Sequence, residues 1–420
     1  MNTTDSSIEI ALKHIKTALI FLPVFFIVMF FDYKSFNGYF FMNHKIIALT
    51  HIFTLGFLLM VIMGASYMLL PVALGVKIAY EKLFIPVYYG YVISLLLFIV
   101  GMHYFWGDMI AAGGILLFVS VLIYNLNILA SLKKVKKWDY SSLGIAFSYS
   151  YLFIGLSVGL YLALIFYFKI GLNIYDILQD HIYLMFVGFV TMLFIAVSYR
   201  LLPMFYMTKA PDNLYWKTDL TVINAGIIAM LASSFFGNGS ASDVHIYLNE
   251  AGGWLLSAGI LLYCYIFLGL MLKRIKKKFD ITTFYLYAGI IFLIAAVFAG
   301  LIISIVPQEK LFVLIGMNGD YYLYYIFAFL GLFGFAGMVI IGFLHKIFPF
   351  LISLKAFEKA KKGAYGKLFS DLKTKYFEYV IFAMFLTGSI LWIFYLIQLA
   401  AAVLFAASIL LMLHIFSMGW

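Results

Sequence analysis

Long apolar runs separated by short polar breaks dominate the chain. A membrane-crossing helix needs about 18 or more consecutive, mostly apolar residues. Twelve such runs are present, near residues 17–32, 46–71, 84–102, 109–131, 144–168, 181–207, 219–236, 250–272, 282–306, 322–350, 377–396 and 398–418. Lipid offers no partner to a backbone N–H or C=O, so these runs are expected to be helices. The pattern predicts an all-α, polytopic membrane protein forming a single membrane domain over residues 1–420. The longest polar stretch, about 352–376, reads as a lysine-rich loop and not as a soluble domain.

Composition supports the same class. The chain is 65% hydrophobic and 11% charged, with a mean hydropathy of +1.07. That is more apolar surface than a water-soluble domain can hide. The net charge of +10 would suggest a nucleic-acid partner only if it formed a patch. Instead, with twelve spans and the N-terminus inside, the basic residues fall on one side, all but Lys34, Lys45, Lys169 and Lys310. The positive-inside rule then places both termini in the cytoplasm and the protein in the cell inner membrane. The expected partner of the charge is the bilayer with its anionic headgroups, and no nucleic acid.

Three stretches align without gaps: "GFLLMVIMGASYMLLP" (56–71), "GFVTMLFIAVSYRLLP" (188–203) and "GFAGMVIIGFLHKIFP" (334–349). Each carries a glycine, a methionine at the fifth position, a small residue at the ninth and a proline at the sixteenth. The sets are Gly56, Met60, Gly64, Pro71; Gly188, Met192, Ala196, Pro203; and Gly334, Met338, Gly342, Pro349. They fall in the second, sixth and tenth spans, which predicts three pseudo-repeats of four helices, approximately 17–131, 144–272 and 282–418. At 100° per residue the four positions lie within about 80° of one another. Packing explains such a stripe first, because small residues let neighbouring membrane helices approach. The proline is expected to end each span at the cytoplasmic surface.

Twelve spans, cytoplasmic termini and three tandem units resemble the main subunit of haem–copper oxidases and nitric oxide reductases. The second span adds "H" at 51 followed by "MGASYMLLP" at 63–71, similar to that superfamily's haem-ligating second helix. The sixth-span "HIYLMFVGFVTMLFIAVSYRLLPMF" resembles the same signature in shorter relatives. The resemblance implies a haem- or copper-binding membrane protein engaged in redox chemistry or a nitric-oxide response, with a cytochrome c-type or other redox subunit as partner. The departures are chemical. The tenth span has no histidine in its outer half, "DLTVINAGIIAMLASSFFG" has none at all, and no Asp, Glu or Lys lies near the middle of a span. Intramembrane carboxylates and lysines mark proton routes, so a proton-pumping oxygen reductase is not expected. NnrS-type membrane proteins share the size and layout, but their "HAHEM" signature is missing here.

Five of the eight histidines map to the outer side: His44, His51, His103, His181 and His245. Imidazole is a common ligand for haem iron and copper, although histidines also favour membrane interfaces. His51 and His181 form the leading pair for a haem. Their depths differ by about 3 Å, and they point about 160° apart relative to the repeat face, as two neighbouring units flanking one cavity would require. His44, His103 and His245 are secondary metal-ligand candidates. Asp180 is a candidate second acceptor for the His181 ring, or simply an N-cap. His14, His345 and His414 map to the inner side, where His345 reads as an interfacial polar residue. The single cysteine, Cys264, excludes a disulfide framework and a C-x-x-C metal pair. The start "MNTTDSSIEIALKHIK" is unlike a cleavable signal peptide. Two other readings stay open: a small-molecule or ion transporter, and a cofactor-free structural or assembly subunit.

Overall fold

Each of the twelve apolar runs forms a helix in the computed structural model, which describes residues 3–37, 43–168, 170, 174–237, 243–275, 279–306, 319–361 and 376–418. In chain order they are α1 (Thr3–Phe31), α2 (His44–Leu74), α3 (Phe84–Tyr104), α4 (Gly107–Leu132), α5 (Tyr140–Phe168) and α6 (Asp176–Tyr206). They continue with α7 (Asn213–Gly237), α8 (Asp243–Leu272), α9 (Ile281–Ile305), α10 (Tyr322–Phe357), α11 (Phe377–Ile393) and α12 (Ile397–Met418). Eleven of these are long and apolar enough to cross a membrane, and α11, at 17 residues, meets the lower limit. The chain is a multi-pass membrane protein. Regular structure among the described residues is wholly helical.

The glycine stripe explains how the helices pair. Gly56 of α2 lies against the Phe21 ring of α1, where an added Cβ would sit 2.6 Å from ring carbon. Gly188 of α6 meets the Tyr151 ring of α5 at 2.8 Å, and Gly334 of α10 meets the Phe292 ring of α9 at 2.8 Å. One repeat step later, Gly64 packs on His14 and the Ala11 carbonyl of α1, and Gly342 on Tyr285 of α9. At the matching position Ala196 faces Gly144 of α5, and its carbonyl accepts a hydrogen bond from Ser141 at 2.6 Å. A Cβ cannot fit at these glycines unless an aromatic ring or a helix moves. Met60, Met192 and Met338 are buried.

These pairs are arranged around a closed circuit. α3 packs with α4, α7 with α8, and α11 with α12; α4 then packs on α5, α8 on α9, and α12 back on α1. α2, α6 and α10 are the most buried of the eleven long helices and meet one another in the interior. Phe53 of α2 touches Phe333 of α10, while Phe186 and Phe194 of α6 touch Phe335 of α10. The three inner helices therefore run parallel. They start at the lysine-poor end, marked by Lys45, and finish at the lysine-rich end, marked by Lys346 and Lys355.

Each inner helix contains a wide π-helical stretch: Ile52–Leu59, Tyr183–Thr191 and Leu330–Gly337. Such widening displaces carbonyls from the regular ladder and is frequent at functional sites. In α2 the Leu55 carbonyl accepts the Tyr91 hydroxyl of α3 at 2.8 Å, a partner a buried carbonyl requires in an apolar bundle. The prolines correct one expectation. Pro71 and Pro203 lie inside their helices, which end about a turn later at Leu74 and Tyr206. There Gly75 (φ 65°) and Met207 (φ 52°) supply the left-handed cap, and α10 continues past Pro349 to Phe357. A missing N–H is tolerable close to a helix end, so backbone reversal sets these ends.

Candidate functional site

His51 is the residue before the first π-helical stretch, and His181 lies two before the second. The structure brings them together. Their ring centres are 6.4 Å apart and their planes differ by 22°, too far for a stacking contact between small rings. The His51 Nδ1 bonds the Ile47 carbonyl one turn earlier at 2.7 Å. The His181 Nδ1 bonds the Gly155 carbonyl of α5 at 2.9 Å. A carbonyl only accepts, so both Nδ1 atoms donate and each neutral ring keeps Nε2 as a free lone pair.

Local sequence sets this geometry. Gly159, one turn beyond Gly155 on α5, forms the seat of the His181 ring: a Cβ there would lie 2.7 Å from Cε1. Phe98 of α3 meets the His51 ring edge-on at 5.2 Å. Both imidazoles keep partial exposure while Ile52 and Leu184 next to them are buried, so open space adjoins the pair. Five residues before Gly334, as His51 is before Gly56, stands Phe329, stacked on Trp392 of α11 at 4.7 Å.

The other outer candidates lie apart from this pair. The His44 Nδ1 bonds the Met102 carbonyl at 3.2 Å. His103 lies 3.6 Å from Asp32, whose carboxylate also takes Lys45 at 2.8 Å. The His245 Nδ1 bonds the Ser233 carbonyl at 2.9 Å. Asp180 points to Ser234, accepting its hydroxyl at 2.8 Å, while the His181 Nδ1 is taken by Gly155. Asp180 lies in the second turn of its helix, so it is not the N-cap, and it faces Ser234 of α7 and does not orient the imidazole through Nδ1.

A second grouping sits where the lysine-rich ends of α10, α11 and α12 meet. His345 of α10, Glu378 of α11 and His414 of α12 place their ligand atoms within 4.8 Å of one another, and all three residues are buried. Among the described residues this is the cluster of three or more metal-ligating side chains. Reading by span left it out, because Glu378 and His414 sit at helix ends. The available signal was topological: a tight α11–α12 hairpin puts the start of one helix beside the end of the other, at the depth of His345. Asp219 of α7 was likewise unmarked; it is fully buried and accepts the Tyr199 hydroxyl at 2.6 Å.

Fold and site together define a multi-pass α-helical membrane protein with imidazole groupings at its two ends. No protein-family model matches the chain, and no curated protein matches it in sequence.

Proposed function

We propose that this chain is a redox membrane protein that holds one haem iron between His51 and His181. The observation that carries this reading is the paired geometry of the two imidazoles. A metal–imidazole bond is about 2.0–2.1 Å and a ring nitrogen lies about 1 Å from its ring centre, so one metal between two imidazoles separates the centres by about 6 Å. The observed 6.4 Å agrees. Backbone-anchored Nδ1 atoms are the usual device that fixes a ligating imidazole and raises its basicity.

The donor set favours haem over a bare ion. Zinc and copper sites usually draw three or four protein ligands, and no third His, Cys, Asp or Glu among the described residues joins this pair. Haem brings four equatorial nitrogens of its own and asks the protein only for axial ligands. Bound here, it would supply one-electron transfer. With His51 and His181 both holding it, it would suit electron exchange with a redox partner subunit better than binding of a gas. Gly155 and Gly159 hold the His181 ring, and Phe98 packs edge-on against the His51 ring. Copper held by the same two nitrogens is the alternative occupant.

We read the architecture as three four-helix units related by the Gly–Met–small–Pro stripe, with the lysine-rich end and both termini in the cytoplasm by the positive-inside rule. The haem would then lie towards the outer face of the inner membrane. The test is an absorption spectrum of purified protein, oxidised and dithionite-reduced, with metal analysis of the same sample. A Soret band that shifts on reduction, and is lost in both His51→Ala and His181→Ala, is expected. Protein that carries neither haem nor copper after expression with ample supply of both would overturn the reading in favour of a transporter or a cofactor-free subunit.

A further inference from the structure

We infer that His345, Glu378 and His414 form a second, separate site, which binds a divalent first-row transition ion through two imidazoles and one carboxylate. The three donors come from α10, α11 and α12, the last three helices of the chain, and converge at their lysine-rich ends. The Glu378 Oε1 lies 3.4 Å from the His414 Nε2 and 3.9 Å from the His345 Nδ1, and no pair of ligand atoms exceeds 4.8 Å. Charge-assisted N–H···O bonds run to about 2.7–2.9 Å, so these contacts are long for an ion pair pulled tight. The 3.4 Å contact matches an edge of a coordination shell, and the wider ones would draw in around an ion. Ligands at about 2.0–2.1 Å in a tetrahedron stand about 3.3–3.4 Å apart.

Burial adds the second argument. Neither ring nitrogen of His345 has a hydrogen-bond partner, and its side chain is 0% exposed. An imidazole stripped of water with both nitrogens unbonded carries a desolvation cost that a metal bond offsets. Its plane stacks on Tyr285 of α9, with ring centres 5.4 Å apart, so packing holds the ring in place. Glu378 is also buried, and both histidines come within 4 Å of its Oε1. Lys346, next in sequence, is directed elsewhere, to Asp280 at 3.3 Å and over the Tyr206 ring at 4.1 Å. A lone carboxylate inside a membrane bundle needs a compensating positive charge. A divalent ion supplies it and gives the unbonded His345 ring a partner in the same step.

Two histidines and one carboxylate are the donor set of open zinc sites and of non-haem iron sites, in which a coordination position remains for water or substrate. Oxygen and nitrogen donors without thiolate select zinc, iron(II) or cobalt(II) over copper(I). The site does not depend on the haem reading, because His51 and His181 lie at the other end of the bundle.

The experiment uses the full chain carrying His51→Ala and His181→Ala, so that the outer pair cannot contribute, with Co2+ and Zn2+ as probes. After EDTA treatment and desalting, Co2+ titration should develop d–d bands of a nitrogen–oxygen site, saturating at one ion per chain and displaced by Zn2+. Glu378→Gln and His414→Gln in the same background should each weaken uptake by at least about tenfold. X-ray absorption of the zinc-loaded background protein should show two imidazoles, a readout that needs no further variant to fold. Absence of a saturable ion, or undiminished uptake in well-folded Glu378→Gln and His414→Gln proteins, would overturn the site and leave the cluster as a proton-sharing polar contact.

Discussion

The two ends of the bundle handle buried imidazole in opposite ways. At the lysine-poor end, His51 and His181 each spend Nδ1 on a backbone carbonyl, with their ring centres 6.4 Å apart. At the lysine-rich end, His345 spends neither nitrogen, and a carboxylate stands beside it. The first arrangement offers two neutral donors and no carboxylate, which suits the proposed cofactor that brings its own equatorial ligands. The second brings a negative charge and three convergent donors, which suits a bare cation. Under the two proposals the same residue type would serve two chemistries, and what differs is which nitrogen the backbone occupies and whether a carboxylate is near.

Predictions follow this contrast from the strongest effect down. His181→Ala should remove about tenfold or more of the bound haem while leaving Zn2+ uptake at His345 intact. Loss of both together would mean the two ends form one cooperative site, and haem content with metal stoichiometry in one preparation decides. Gly159→Val should lower haem occupancy several-fold with unchanged helicity by circular dichroism, because the new side chain displaces the His181 ring; normal occupancy would show that the ring needs no such seat.

The inner cluster should respond to metal as a stability switch. Zn2+ at a hundredfold excess over its Kd should stabilise the chain by about 2.7 kcal/mol, read as a rise in detergent-phase melting temperature that Glu378→Gln abolishes. In EDTA the sign should reverse: Glu378→Gln, which removes an uncompensated buried charge, should melt no lower than the parent. Gly188→Ala and Gly334→Ala, which push a methyl into the Tyr151 and Phe292 rings, should each cost about 1–3 kcal/mol, and equal costs would sharpen the equivalence of the second and third units. The smallest effect is expected for Tyr91→Phe, about 1 kcal/mol in thermal unfolding from the hydrogen bond lost at the Leu55 carbonyl. No change there would mean that the widened turn of α2 needs no external partner.

Much of the fold was legible in residue order. The twelve apolar runs match the twelve helices to within a few residues at most ends, because a helix is the local answer to an unpaired backbone in lipid. The largest shift is at α1, which starts at Thr3 and carries His14 into the interior, fully buried. Its polar first turns hid this, since a helix inside a bundle need not be apolar throughout. The glycine stripe was visible, but its partners Phe21, Tyr151 and Phe292 were not. The π-helical widening was invisible because it follows from how three inner helices meet, and no local propensity encodes it. At the site, the pairing of His51 with His181 followed from depth and angle across two repeats. Glu378 and His414 escaped that reasoning because it compared equivalent positions, and this cluster has no counterpart in the other units: Tyr67 and Tyr199 occupy the place of His345.

By itself the sequence determined the membrane class, the number and approximate limits of the helices, and the stripe on which they pair. These follow from local rules of backbone satisfaction and helical period. Tertiary structure alone decided which imidazole nitrogen is free, that Asp180 turns to Ser234, and that helices ten to twelve gather two histidines and a glutamate at one point. Those depend on distances between residues far apart in the chain, which only the packing of helix against helix fixes.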